Sequence, residues 1–378
     1  MRSVRGPRPG LENLVPYDPK NIKADVVLSN NEHPANLPSE ILEWFSRRIS
    51  RFQFNRYPDP VASELRALIA EANGLDPDNV LIGNGGDELI LDILLAWGGP
   101  GRTLIDLPPT FAMYSIDAHI TGTNIVSLPR DENFCVDADA LLGRLAQGDV
   151  DVVMIANPNN PTGNLCPETL LIDVLNASDA LVLVDEAYFE FSRHTMRPHM
   201  ERHRNLVILR TFSKAFSIAG MRVGYLLGHE EVLREIRKVR QPYSVNAFSQ
   251  WVALKTFRER VVFENAIREI MRERDRIVSG LSELNEVRVF PSEANFVLFR
   301  VEQAAALWRD LLHTHSVLIR DLSRVAGLED CLRVTVGSAE DNTAFLKAMR
   351  DVLQARRESE IMTNGAIAAH GSRKEREQ

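Results

Sequence analysis

The stretch Arg210-Thr211-Phe212-Ser213-Lys214-Ala215-Phe216-Ser217-Ile218-Ala219-Gly220-Met221-Arg222-Val223-Gly224-Tyr225 decides how the rest of the chain is read. The run before it, Leu206-Val207-Ile208-Leu209, is short, apolar and rich in β-formers, and predicts a buried strand. Lys214 then stands just past a strand's carboxyl end, where open α/β sheets place their ligand crevice. Thr211 and Ser213 flank it with hydroxyls, and Arg222 follows eight residues later. A lysine, two hydroxyls and an arginine this close suit an amine nucleophile beside a bound phosphate. Taken alone, the stretch fits a surface lysine after a strand equally well.

Upstream, the same strand-then-loop pattern repeats. Val80-Leu81-Ile82-Gly83 reads as a strand, and Asn84-Gly85-Gly86-Asp87-Glu88 as the turn into a helix carrying Leu89, Ile90, Ile93 and Leu94. Glycines at such a turn let backbone N–H groups approach a phosphate at the helix N-terminus, although an ordinary left-handed turn explains them as well. The strand Thr103-Leu104-Ile105-Asp106 leads into Leu107-Pro108-Pro109-Thr110-Phe111. Val152-Val153-Met154-Ile155-Ala156 leads into Asn157-Pro158-Asn159-Asn160-Pro161-Thr162-Gly163, a rigid polar loop. Leu181-Val182-Leu183-Val184 ends in Asp185-Glu186-Ala187-Tyr188, which sets an acid at the crevice edge. Repeated units of this kind predict an α/β large domain: a mostly parallel sheet sandwiched by helices.

Residues 1–35, rich in Pro, Asn and Gly, read as an N-terminal arm that must lie on the body or on a partner subunit. Ser39 can cap a helix running to about Arg51, and a second amphipathic helix carries Leu65, Leu68 and Ile69. The large domain is expected over residues 36–280. Its end is marked by a long helix with Phe263, Ile267, Ile270, Ile277, Leu281 and Leu284 on one stripe. Residues 281–356 then read strand, strand, helix, strand, strand, helix, a smaller α+β domain. Residues 357–378 are polar, charged and rich in small residues, and are expected to be disordered.

At 378 residues and 44% hydrophobic content, the chain can bury a large core. A net charge of −8 with both signs mixed, and no basic run interleaved with aromatics, argues against a nucleic-acid partner. The N-terminus lacks a signal-like apolar core, and no stretch reaches membrane-spanning length. Cys135, Cys166 and Cys331 have no CxxC spacing and read as free thiols of a reducing compartment. The nine histidines form no HExxH motif, so no metal is expected. Together these features predict a soluble cytoplasmic protein.

Gly86, Asp87, Phe111, Asn160, Asp185, Tyr188, Thr211, Ser213, Lys214 and Arg222 all follow predicted strand ends and can meet in one crevice. An acid, a lysine, an aromatic ring and a phosphate cradle are what pyridoxal phosphate requires. In the motifs NPNNPTG, DEAY and TFSKAFSIAGMRVGY the chain resembles the fold-type-I pyridoxal-phosphate aminotransferases, and within them the histidinol-phosphate aminotransferase family. The resemblance runs from about Val15 to about Leu353. It implies that Lys214 forms the Schiff base with pyridoxal 5'-phosphate and moves the proton between substrate and cofactor. It further implies that Asp185 holds the pyridinium nitrogen and that Asn160 and Tyr188 bond the cofactor's phenolate oxygen. The phosphate would rest on the N–H groups of Gly86 and Asp87 with Thr211, Ser213 and Arg222. Phe111 stands where the family usually stacks a tyrosine. Tyr57 resembles a tyrosine contributed to the neighbouring subunit's site, which implies a homodimer.

For the substrate, the resemblance assigns Arg333 to an anionic group, with Arg320, Tyr17 and Asn160 beside it. A guanidinium fork suits a carboxylate or a phosphate alike. The implied reaction moves an amino group between histidinol phosphate and 2-oxoglutarate. Aromatic amino-acid transamination, threonine-phosphate decarboxylation and a non-catalytic cofactor binder remain as alternatives. Asn31-Glu32-His33-Pro34 departs from the family's Asn-Glu-Asn-Pro at His33, in a loop expected to border the substrate.

Overall fold

The computed structural model describes residues 22–374, together with Gly6, Arg8, Gly10, Leu11 and Leu14, and side chains as far as Glu358. Its strands are β1 (Val26–Leu28), β2 (Val80–Gly83), β3 (Thr103–Asp106), β4 (Asn124–Ser127), β5 (Val152–Ala156), β6 (Leu181–Asp185), β7 (Leu206–Thr211), β8 (Gly224–Gly228), β9 (Val287–Val289), β10 (Phe296–Val301), β11 (Val317–Asp321) and β12 (Cys331–Thr335). Seven form a sheet in the order β2-β8-β7-β6-β5-β3-β4, and five form a second in the order β1-β11-β12-β10-β9.

In the larger sheet β4, β3, β5, β6 and β7 pair in parallel, while β8 runs antiparallel to β7 and β2. The mostly parallel α/β sheet expected from the sequence is therefore the observed one. Its central strands β5, β6 and β7 are buried along their whole length because both faces are covered. Val152 and Met154 pack with Leu89 and Ile93 of the helix Gly85–Trp97 and with Tyr114 of the helix Met113–Thr121. Val153 and Ile155 turn to the opposite face, in one cluster with Leu170, Leu171 and Val174 of the helix Glu168–Ala177. Each such side chain contributes about 1.5–3 kcal/mol through burial. Because the pairing is parallel, β3, β5, β6 and β7 point their carboxyl ends to one edge, and the loops that follow them are gathered there.

The second sheet is built from antiparallel pairs β9–β10, β10–β12 and β11–β12. The N-terminal arm adds β1 to its edge, parallel to β11, with Val26 opposite Val317 and Leu28 opposite Ile319. The long helix Glu264–Ser282 buries Ile267, Ile270, Ile277 and Leu281 as its sequence stripe predicts. The helix expected from Ser39 to Arg51 ends at Ser46, and a 3-10 turn, Ile49–Arg51, follows. One further expectation is corrected at the C-terminus. The helix Ala339–Lys374 continues through residues 357–374, which composition alone suggested were disordered. That segment has no proline, and its Glu, Arg, Ala, Ile and Met residues extend a helix already nucleated upstream. Among the described residues no helix is long and apolar enough to cross a membrane.

Candidate active site

The carboxyl ends of β3, β5, β6 and β7 and the turn after β2 open on one cavity of about 580 Å³. Gly86, Asp87, Phe111, Asn160, Asp185, Tyr188, Thr211, Ser213, Lys214 and Arg222 all line it. Sequence separations of more than a hundred residues are thus closed by a single sheet edge.

One end of the cavity is built for an anion. The helix Gly85–Trp97 starts there, and the N–H groups of its first turn lack intrahelical acceptors. Gly85 has φ +85°, and a Cβ on it would lie 2.7 Å from Arg222 Nη2. A Cβ on Gly224 would lie 2.9 Å from the Gly85 carbonyl carbon. Glycine at both positions lets turn, strand and guanidinium close on one another. Arg222 donates from Nη2 to Asp87 Oδ2 at 2.9 Å and from Nη1 to the Ala219 carbonyl at 3.3 Å. The Thr211 hydroxyl donates to Ser213 Oγ at 3.0 Å and accepts from the Ser213 N–H at 3.1 Å.

The other end carries a buried acid. Asp185, 5% exposed at the end of β6, accepts from the Ala187 N–H at 3.0 Å and from the Tyr114 hydroxyl at 2.7 Å. Burial pushes its carboxyl up to about 6, against the pull of these two hydrogen bonds. Between the two ends, Lys214 Nζ donates to the Asn30 carbonyl at 3.2 Å. Burial lowers this amine to about 8, with Arg333 and Arg222 pressing the same way and Glu32 and Asp87 opposing.

The arm lines the cavity through Asn30 and Glu32, and the second sheet stands behind Asn160, with Arg333 outside the lining. Arg333, on β12, donates from Nη1 to Asn160 Oδ1 and from Nη2 to the Ser29 carbonyl at 3.0 Å. Asn31 is 1% exposed and sits at φ 55°. Its N–H donates to Thr335 Oγ1 and its Nδ2 to Tyr188 Oη, each at 2.9 Å. Three consecutive arm residues therefore hold an arginine, the lysine and the tyrosine.

Arg320 does not line the cavity wall. It stands directly across the β11–β12 pair from Arg333, so the two side chains share a sheet face. Tyr57 is also outside this cavity: it is 83% exposed and stacks on Tyr243, with ring centroids 4.8 Å apart. Tyr17 lies outside the described residues. His33 folds back on its own loop, where Nδ1 meets the Ala35 backbone N–H at 3.0 Å, and does not line the cavity. No group of metal-ligating side chains is found among the described residues.

The family described as Aminotransferase class I and II matches residues 23–349. The chain belongs to the class I and II aminotransferases. The aminotransferase is 37% identical over 337 residues to the histidinol-phosphate aminotransferase of Caldanaerobacter subterraneus subsp. tengcongensis, which covers 89% of this chain and 95% of that protein. Its fold matches the histidinol-phosphate aminotransferase of Clostridium acetobutylicum at a TM-score of 0.79 and 29% identity, covering 86% of this chain and 98% of that one. The Sinorhizobium meliloti histidinol-phosphate aminotransferase, solved in complex with pyridoxal-5'-phosphate, has the same fold, with a TM-score of 0.85 and 22% identity. That match covers 93% of this chain and 99% of that one.

Two groups in the aminotransferase's site escaped the sequence reading. Tyr114 stands in no motif, and its partner Asp185 is 71 residues away. Asn31 sits in an arm with no periodicity, and Tyr188 is 157 residues away. A third element supports the loop after β6. Glu186, paired with Arg210 at 2.9 Å and 1% exposed, accepts from the Met196 N–H at 2.7 Å. It thereby ties the ends of β6 and β7 together behind the cavity.

Proposed function

We propose that the chain transfers an amino group between L-histidinol phosphate and 2-oxoglutarate or glutamate, using pyridoxal 5'-phosphate. The cavity fits this cofactor by its donor set. An anion cradle whose glycines admit no Cβ faces a buried carboxylate across the space that Lys214 overlooks. When bound, pyridoxal phosphate supplies an electron sink for charge developing at the substrate α-carbon. Gly86, Asp87, Thr211, Ser213 and Arg222 would hold its phosphate, and Asp185 its ring nitrogen. The Asn160 carbonyl is engaged by Arg333, which turns the Asn160 amide nitrogen into the donor for the phenolate oxygen, beside Tyr188. Phe111 would cover one ring face. Lys214 Nζ, lowered to about 8, can shed and regain a proton near neutrality, as a group that shuttles it at the α-carbon must.

The observation that carries the substrate assignment is the placement of Arg333 and Arg320 directly opposite each other. Directly opposed cross-strand residues share one sheet face, so both guanidinium groups can turn toward one anionic group. A phosphate suits two guanidinium forks. Tyr17 would join them. A neutral aromatic side chain forgoes the charge-assisted hydrogen bonds that a phosphate would accept from these forks, together about 3–5 kcal/mol. We therefore expect kcat/KM for histidinol phosphate to exceed that for phenylalanine or tyrosine by about two to four decades. Arg320→Ala should reduce this preference far more than it reduces turnover of the aromatic donors. A side-by-side assay with 2-oxoglutarate as acceptor decides it. Equal turnover of phenylalanine would reassign the enzyme to aromatic substrates, and carbon dioxide release from threonine phosphate would make it a decarboxylase.

The working unit we propose is a cytoplasmic homodimer. Tyr57, 83% exposed, and Phe54, 69% exposed, stand beside a groove lined by Trp44, Phe52, Trp251 and Leu254. Burial of these rings by a second copy would stabilise a pair, and Tyr57 would then reach the neighbouring phosphate cradle. The free thiols Cys135, Cys166 and Cys331 suit a reducing compartment. Sedimentation velocity should show one species of twice the chain mass, and a monomer that retains full activity would remove this part of the proposal.

A further inference from the structure

Asp185 is the acid on which cofactor chemistry in this cavity turns, and its surroundings inside the chain are sparse. No ion pair to it is formed among the described residues. The charged groups that face it, Asp87 and Glu186, are both acids and raise its affinity for a proton. Its carboxylate is supported by two donors, the Ala187 N–H at 3.0 Å on Oδ1 and the Tyr114 hydroxyl at 2.7 Å on Oδ2. The first is fixed by the backbone of its own loop. The second comes from another element, the helix Met113–Thr121, and is the one a side chain controls.

Tyr114 is fully buried. Its ring meets Phe111 edge to face, with centroids 5.7 Å apart at 85°, so the residue beside the cofactor face also braces the phenol. Burial and the neighbouring Asp185, Asp106 and Tyr188 hold its hydroxyl proton on, well above the ordinary phenol value. Arg130 lies behind Asp106 and takes part of that acid's charge. A phenol so placed is a permanent donor with one proton to give, and it gives that proton's hydrogen bond to Oδ2.

We infer that Tyr114 is a positioning residue: its hydroxyl keeps Asp185 ionised and aimed at the cofactor's ring nitrogen, and so sets the pH down to which the cofactor is held. This rests on the reading of the cavity as a pyridoxal-phosphate site. A hydrogen bond favours the charged form of the acid that accepts it, so its loss moves Asp185 further toward the neutral form. Neutral Asp185 cannot pair with a protonated ring nitrogen. Cofactor affinity should then fall as pH drops through the acid's titration, and should fall earlier when Tyr114 is absent.

The test is the dissociation constant of pyridoxal 5'-phosphate for the full-length apoprotein between pH 5 and 9, followed by its absorbance. Wild type should lose affinity with a midpoint near the value of about 6 that burial gives Asp185. Tyr114→Phe, which keeps the ring, should move that midpoint up by about one to two pH units, as a lost hydrogen bond to a charged group implies. At pH 7 it should weaken binding by about two- to tenfold and at pH 5 by about ten- to hundredfold, while near pH 9 the two proteins converge. Asp185→Asn should lack the titration altogether, which assigns it. A purely structural role for Tyr114 would weaken binding equally at every pH, and an unmoved midpoint overturns the inference. Should Tyr114→Phe fold poorly, a ring-fluorinated tyrosine at position 114 keeps the hydroxyl but donates more strongly, and must shift the midpoint down. A wild-type protein that binds no pyridoxal phosphate at any pH would sink the reading of the site itself, a different result from an unmoved midpoint.

Discussion

Lys214→Ala should abolish amino transfer, lowering turnover by about four to six decades, the scale seen when a covalent group is removed from an active site. The variant should also lose the visible absorbance of cofactor bound covalently to the chain. Its fold should survive, because among the described residues the lysine amine makes one hydrogen bond, to the Asn30 carbonyl. A variant that kept full transamination would end the proposed role. The same group predicts a pH dependence in the wild-type apoprotein. An amine at the ordinary value is about 0.3% neutral at pH 8, whereas one lowered to about 8 is half neutral there. Covalent uptake of pyridoxal phosphate should thus slow about tenfold per unit below pH 8 and level off above it. A stopped-flow series from pH 6 to 9.5 reads this directly, and a flat profile would contradict the lowered amine. The sign for stability is opposite to that of a paired lysine. The unfolded chain holds this proton more tightly, so the group weighs against folding below pH 8, and the penalty fades as pH rises from about 8 toward the ordinary lysine value.

Much of the site was legible because its residues sit at fixed offsets from strands that announce themselves. Lys214, Asp185 and Asn160 each follow a run of four or five apolar residues, and in a parallel sheet such positions are forced to one edge. The glycines before Asp87 were legible for a related reason, since a turn onto a helix N-terminus needs φ > 0 and little bulk. What escaped has no such anchor. β8 begins and ends in glycine and is buried on both faces, so it carries neither alternation nor a turn signal of its own. β4 is a partly exposed edge strand, Asn-Ile-Val-Ser, whose polar ends read as loop.

The arm was the hardest part to read. Val26–Leu28 is a strand because β11 offers it an edge, a property of the neighbour and not of the segment. Asn31 acquires its role only when that pairing brings it against Thr335 and Tyr188. The departure at His33 shows the converse. It lies in a loop read as bordering the substrate, yet its Nδ1 accepts from the Ala35 N–H and the residue is not part of the cavity lining. Tyr114 is a third case, where a buried phenol packs as a core residue along its ring and acts as a polar group at one atom.

Asp185→Ala and Asp185→Asn carry the second large expectation. A carboxylate paired with the ring nitrogen stabilises that nitrogen's positive charge, and the charge matters most when the ring is withdrawing electrons from the substrate. Its contribution is therefore greater in the transition state than in the ground state, and its loss belongs in kcat. By the scale of a single preorganised electrostatic group, either variant should lower kcat by about a hundred- to thousandfold. Asn keeps the shape, and its carbonyl can still accept from the Ala187 N–H or the Tyr114 hydroxyl, so it isolates the charge. Ala removes both and leaves the Tyr114 hydroxyl, fully buried, without its acceptor, which adds a cost in stability of about 1–3 kcal/mol. The two variants should consequently share a kcat and differ in melting temperature. Burial raises the acid to about 6 in the chain alone, whereas a positively charged ring nitrogen beside it favours the ionised form. The loaded enzyme should hence keep its activity below pH 6 better than the apoprotein keeps its affinity. Steady-state kinetics with glutamate and 2-oxo acid settle the point. If KM rises while kcat stays intact, Asp185 binds and does not assist the chemistry.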